Sequence, residues 1–440
     1  MLLTLFLATA SYAQVTSLLL EKYNNWPRYT QLQQFYQSTG NRFLWVGNPQ
    51  LQQDLLGIIQ QADYLGLEVK DYQFDFFKTY TPGQTLFTQT DSVETDLRFS
   101  DAALHFFSEV KNGNQSPPLR YDGLNYRPVT AVVTSELIRT LPSGNFKQLV
   151  ADLQPKSKEY YTMLAKLHWF QHIIADNNFS EEKITSTVVD QNNKPLLKRL
   201  YQFGITDSLL TKVTVKELLP KVREAQKLFD LLSDGLLRST ARQAFNVPLK
   251  NRVVELKRSL NYLRWLEQIK QTGFVLILNQ PSATLMVYEN GGVVLDSKVI
   301  IGKPATPTPT LSSTITEVIL YPYWMVPHSI ATKELLPSIK RNIAYLDRNG
   351  YQVLNKQGKV VNPYTIKWSS LSTSYFPYII RQSTGCDNAL GLVKLNFYNP
   401  FTVYLHDTPS KSLFGLNKRY FSHGCMRVEK PVELARLVLG

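Results

Sequence analysis

A chain of 440 residues that is 43% hydrophobic and 12% aromatic can bury a sizeable core, and its length suggests roughly two or three domains. That excludes an intrinsically disordered chain, and with only two cysteines a disulfide-stapled miniature scaffold is excluded as well. The net charge of +13 suits an anionic partner but is equally what a solvated, soluble surface carries.

In chain order, the first element is an apolar stretch, residues 1–13, that ends in Ser11, Tyr12 and Ala13. Small residues at those spacings are what a signal peptidase reads, so the mature chain is expected to begin near Gln14 and to be exported, in a periplasmic setting. The stretch is too short to span a bilayer and polar residues follow it, so no retained transmembrane segment is expected. It lacks a basic n-region, which suggests that the start of the gene is missing or misplaced, and no cysteine follows it to take a lipid. Outside the cytoplasm nucleic acid is an improbable partner, whereas a cell wall offers many peptide carboxylates.

Residues 14–189 read as a helical scaffold, with apolar residues at three- and four-residue intervals in stretches such as Leu51 to Ala62. Turn-rich breaks at 111–118 and 190–195 divide the text, and residues 190–248 form a compact, charge-rich helical module. A connecting helix, 249–271, carries Val253, Leu256, Leu260 and Leu263 on one side. His168 and His172 are spaced as two ligands of a helical zinc site would be, but Trp169 stands where a zinc protease needs glutamate, so they read as packing residues.

After Gly273 the period changes. Strands are expected at Phe274–Leu278, Thr284–Tyr288 and Val293–Ile301, joined by turn residues and therefore antiparallel. Further strands are expected at Ile315–Leu320, Tyr378–Arg381, Leu392–Phe397 and Phe401–His406. The fold class is thus α+β, a helical N-terminal scaffold followed by a mostly β domain over 272–440. Within that domain 333–376 is long and poorly periodic, and long loops of this kind are often lids.

Chemistry concentrates in Tyr404-Leu-His-Asp-Thr-Pro409 and Ser422-His-Gly-Cys-Met-Arg427. In the first, alternation buries Phe401, Val403 and Leu405 and turns His406 to the other face, at a strand end beside a loop. In the second, an extended backbone places His423, Cys425 and Arg427 on one cationic face, where nearby charge can lower a thiol pKa. Gly424 lets the backbone approach a substrate and leaves amide N–H groups to face a developing oxyanion. Competing readings are a zinc site from His406, His423 and Cys425, a Cys386–Cys425 disulfide, and a buried structural Cys425.

With these residues in place, the sequence resembles the L,D-transpeptidase family with a YkuD-type catalytic domain, marked by a histidine, a spacer and Ser/Thr-His-Gly-Cys. Here fifteen residues separate His406 from Ser422. Ile301-Gly-Lys-Pro304 with Thr308-Pro309, Tyr321-Pro-Tyr-Trp-Met-Val-Pro327, Arg381-Gln382, and Asn388-Ala-Leu-Gly391 with Val393-Lys394 are similar to the large, scaffold-bearing branch of Gram-negative bacteria. Residues 226–245 resemble a degenerate peptidoglycan-binding module.

The resemblance implies that Cys425 is the nucleophile, His406 its base, and the Asp407 carbonyl the group orienting His406, with His423 and Gly424 at the oxyanion side. It implies that Ser422, Arg427, Tyr404 and Trp324 orient groups or bind substrate, that no cofactor or metal is needed, and that peptidoglycan stem peptides are donor and acceptor. The segment 333–376 corresponds to a capping loop. Cys386 stands where the family commonly has proline, and the chain stops inside a helix where this branch usually continues. A silent wall-binding scaffold, an L,D-carboxypeptidase and a protein-anchoring enzyme remain as alternatives.

Overall fold

The computed structural model describes Val15, residues 21–127 and residues 131–440; the expected leader, residues 1–13, lies outside them. Helices fill the N-terminal part and strands dominate after residue 273, an α+β chain. It divides into two compact units, one drawn from residues 1–116, 127–222 and 236–269, the other from 117–126, 223–235 and 270–440. Among the described residues no helix is long and apolar enough to cross a membrane.

The first unit is built on the helix Gln89–Asn112, whose start is closed by Thr88 and Asp91 bonding each other's backbone amides, a reciprocal cap that satisfies donors left open at a helix end. Its apolar face joins Leu32 and Phe35, Leu55 and Ile59, and Phe146 and Leu149 in one core. Trp45 stacks on Phe99 and Phe146 with ring centroids 5.7 and 5.9 Å away. Within this core Asp96 accepts from the Tyr36 hydroxyl at 2.6 Å and from the amides of Leu44, Trp45 and Val46. On the helix Lys158–Ala175, His168 bonds the Tyr64 carbonyl at 2.7 Å and packs edge-on against the Tyr64 ring.

Besides a separate two-stranded parallel pair of Tyr121–Asp122 with Leu311–Ser312, the strands of the second unit are β1 (Phe274–Asn279), β2 (Thr284–Glu289), β3 (Gly292–Gly302), β4 (Ile315–Leu320), β5 (Trp324–Met325), β6 (Tyr351–Leu354), β7 (Val360–Val361), β8 (Ile379–Gln382), β9 (Val393–Phe397), β10 (Leu405–His406), β11 (Tyr420–Ser422) and β12 (Met426–Val428). The main sheet runs β1-β2-β3-β12-β10-β9-β4, with β11 added beside β3. The opening strands are antiparallel as expected, whereas β10 and β12 pair in parallel. One sheet face sends Leu285, Val287, Val299, Leu395, Leu405, Met426 and Val428 into a core that also takes Leu434 and Ala435 of the helix Pro431–Leu439.

Three expectations need correction. The strand expected at 401–406 contracts to Leu405–His406, because Thr402 turns into the left-handed region at φ 54 and the Asn399 side chain binds the amides of Phe401 and Val403. The extended run through Ser422–Arg427 breaks between β11 and β12, where Gly424 takes φ 120, so His423 does not share one strand face with Cys425 and Arg427. The segment 333–376 is not a structureless loop. With its flanks it closes the small sheet β5-β8-β6-β7 over a core of Leu335, Leu336, Ile339, Leu346, Val353, Trp368 and Ile380. Its apolar residues sit in a π turn, α-helices of six and four residues, short 3₁₀ turns and strands of a few residues, lengths too short to print a period in sequence.

Candidate active site

Since Leu405 and Met426 point into the core, alternation turns Tyr404, His406, Cys425 and Arg427 to the opposite sheet face. The parallel register sets His406 beside Arg427 and Tyr404 beside Cys425. Lys394 of β9 lies opposite His406 on its other side, between the core residues Val393 and Leu395. Neighbouring strands thus assemble the thiol, the imidazole, a phenol and two cations on one surface.

His406 is buried, with 5% of its surface exposed. Its Nδ1 donates to the Asp407 carbonyl at 2.5 Å, which leaves Nε2 with the lone pair in a neutral ring. Burial, reinforced by the neighbouring Arg427 guanidinium, pushes the imidazole down to about 3. The ring is therefore neutral at ordinary pH and able to accept a proton at Nε2.

Asp407 holds this arrangement through its carboxylate, which accepts from the amides of Thr408 at 2.7 Å and Leu392 at 2.9 Å and from the Lys411 ammonium. Gly391 allows that approach: it sits at φ +58, and a Cβ there would come within 2.6 Å of the Asp407 side chain. A side chain at Gly391 would have to move the very residue that orients His406.

Cys425 is half-buried and, like the exposed Cys386, a free thiol. Burial pushes its pKa up from the ordinary thiol value; the Tyr404 backbone amide and hydroxyl, then the charges of Lys394 and Arg427, pull it back. The Tyr404 hydroxyl is bonded both to Cys425 and to Trp324, and burial raises its own pKa well above normal. Trp324 lies on β5, so the small sheet reaches the thiol through Tyr404.

The loop before the thiol is held by neutral hydrogen bonds. Ser422 donates to the Cys425 carbonyl at 2.6 Å and accepts from the Gly424 amide at 3.2 Å. Thr308 accepts from the Gly302 amide at 2.9 Å and donates to the Gly424 carbonyl at 2.8 Å. The Gly424 amide is thus engaged, contrary to the expectation that it faces a substrate; the Cys425 amide has no acceptor among the described residues. His423 is turned to Glu334, Nε2 to carboxylate at 2.8 Å, and among the described residues no three His, Cys, Asp or Glu side chains converge as metal ligands would.

Sequence reasoning missed Lys394, Glu334 and Thr308 as neighbours of the site. Lys394 was accessible from the alternation of Leu392–Phe397, in which it and Asn396 are the polar residues on the face away from the core. Nothing local marked Glu334, since its partner is distant in sequence and in another substructure. Gln382 and Asn388 serve the surrounding loop: Gln382 bonds the Asp387 carbonyl and the Ala389 amide, and Asn388 bonds the Pro322 and Ser383 carbonyls.

Comparison with known proteins gives matching assignments for both parts of the chain. Residues 273–439 match the family model of the L,D-transpeptidase catalytic domain, and residues 30–167 that of the Scaffold domain. A Haemophilus influenzae protein named "Putative L,D-transpeptidase" is 39% identical over 164 residues, a stretch that is 37% of this chain and 33% of that protein. The chain therefore spans about a third of that relative's length. The catalytic-domain match contains His406 and Ser422–Cys425 and follows the Scaffold match, so the chain carries an L,D-transpeptidase catalytic domain preceded by a Scaffold domain.

Proposed function

We propose that this chain is a cysteine-dependent L,D-transpeptidase that cross-links peptidoglycan stem peptides in the periplasm through a thioester on Cys425. The observation that carries the reading is the sheet face on which a neutral His406, fixed by the Asp407 carbonyl at 2.5 Å, lies one register step from a thiol bonded by Tyr404. The Cys425 sulfur attacks the carbonyl between the third stem residue and the terminal D-alanine as its proton passes to His406 Nε2. The negative charge that develops on the carbonyl oxygen meets the Cys425 amide, which no protein acceptor occupies among the described residues. Collapse breaks the C–N bond, D-alanine leaves as an amine protonated by His406, and the acyl group remains on sulfur. An amine of a neighbouring stem then attacks the thioester, gives its proton to His406, and releases the cross-linked peptide and the thiol.

The organisation proposed with this activity is a leader at 1–13, a scaffold at 14–189, a degenerate peptidoglycan-binding-like module at 190–248, a connecting helix at 249–271 and a catalytic domain at 272–440 capped by 333–376. The cap reading is supported by the contacts of Trp324 with Tyr404 and of Glu334 with His423. Incubating the full chain with tetrapeptide stems tests the assignment: the expected result is an acyl adduct on Cys425, released D-alanine and cross-linked dimers. Adduct or dimers formed by Cys425→Ala would refute it. Released D-alanine with no dimers would instead identify water as the acceptor.

A further inference from the structure

Lys394 leaves β9 between Val393 and Leu395, which are buried in the core, and stands in register with His406. Its ammonium lies 4.2 Å from the centroid of the Tyr404 ring, within the range of a cation–π contact. The Tyr404 hydroxyl is in turn bonded to the Cys425 sulfur. No carboxylate forms an ion pair with Lys394 among the described residues; Glu317 acts on it only through space and is hydrogen-bonded to Asn396 at 2.6 Å.

The groups that can influence the sulfur are Arg427 on β12, which Cys425 directly precedes, Tyr404 just before β10 and His406 on it, and Lys394 on β9, while His423 on the preceding loop is turned to Glu334. A cysteine nucleophile is often balanced by an imidazolium. Here the buried imidazole bonds a carbonyl and faces a guanidinium, so it does not carry that charge at rest. Fixed cations must do so.

We propose that Lys394 is a positioning residue of this site, whose ammonium, laid on the Tyr404 ring, holds the phenol against Cys425 and supplies positive charge against which the sulfur ionises. Lys394 keeps its protons throughout; the thiol proton goes to His406 Nε2 in acylation and to solvent when the thiol ionises alone. The proposal rests on Cys425 being the nucleophile of the proposed reaction.

Alkylation of Cys425 by iodoacetamide across pH tests it, using the full chain with Cys386→Ala so that the exposed second thiol does not react. Lys394→Met is expected to raise the apparent thiol pKa by about one unit and to slow alkylation near neutrality by about tenfold, with Lys394→Arg restoring the profile. Lys394→Gln serves as a second uncharged variant should the methionine variant fail to fold. A midpoint unchanged in the folded uncharged variants, even with a slower rate at every pH, overturns the proposal. Alkylation requires no stem peptide, so this result and the turnover assay can fail separately.

Discussion

Asp96 in the helical unit and Cys425 in the sheet unit are both ionisable groups removed from water, and the protein treats them in opposite ways. Around Asp96 four donors are aimed at the carboxylate: Tyr36 and the amides of Leu44, Trp45 and Val46 close on it. Burial still pushes its pKa up, although those donors pull it down. Around Cys425 the thiol is bonded by Tyr404, and the nearby ammonium of Lys394 lies against an aromatic ring, with no ion-paired carboxylate among the described residues. A buried polar group with all its partners inside the protein locks a fold. One whose surroundings hold charge in reserve can stabilise a charge that appears only during a reaction.

The comparison breaks most sharply at the sulfur. Cys425→Ala and His406→Ala are each expected to lower acyl transfer by at least about a thousandfold, because nucleophile and base act as a unit. Both should leave the melting temperature nearly unchanged, and a cooperative loss of folding in either would mean that the face serves structure. Asp96→Ala should do the reverse. It strands the Tyr36 hydroxyl and several amides, so a loss of about 3 kcal/mol or more in chemical denaturation is expected, with acylation per folded molecule preserved.

A smaller effect separates the two centres by pH. His406 has its pKa pushed down to about 3 from the ordinary 6.5, so between these values the unfolded chain binds the proton and the folded chain does not. Stability therefore falls as pH drops from 6.5 towards 3, by on the order of 1 kcal/mol per pH unit from this group. Wild type should lose stability faster than His406→Gln on acidification, so that the difference between their stabilities shifts as pH falls below 6.5; parallel pH dependences would remove His406 from the pH response. The smallest effect is expected at the cap. Glu334→Gln weakens an ion pair whose partners are 50% and 37% exposed, so stability should shift by less than about 1 kcal/mol. Its signature would be a modest rise in KM for stem peptide, and an unchanged KM would detach Glu334 from substrate use.

Much of the site was legible because its chemistry is local in sequence. His406 and Asp407 are adjacent, and Ser422, Gly424 and Cys425 lie in one turn, so side chain and backbone partners are set by spacing alone. The change of period after Gly273 located the β domain for a similar reason: alternation over several residues records which face is buried. The turn at Gly424 was not legible, since an alternating reading assumes an unbroken strand. Nor was the small sheet, whose short elements gain stability from one another and not from any periodic face.

By itself the sequence determined the order of helical and strand-rich parts and the identity of thiol, imidazole and cationic side chains, because each depends on near neighbours along the chain. Tertiary structure alone decided that the His406 imidazole is neutral, that Lys394 lies against Tyr404, and that Trp324 of the small sheet and Glu334 of the π turn beside it reach the site. Those properties depend on strand register and on exclusion of water, and both arise only when segments far apart in the chain pack together.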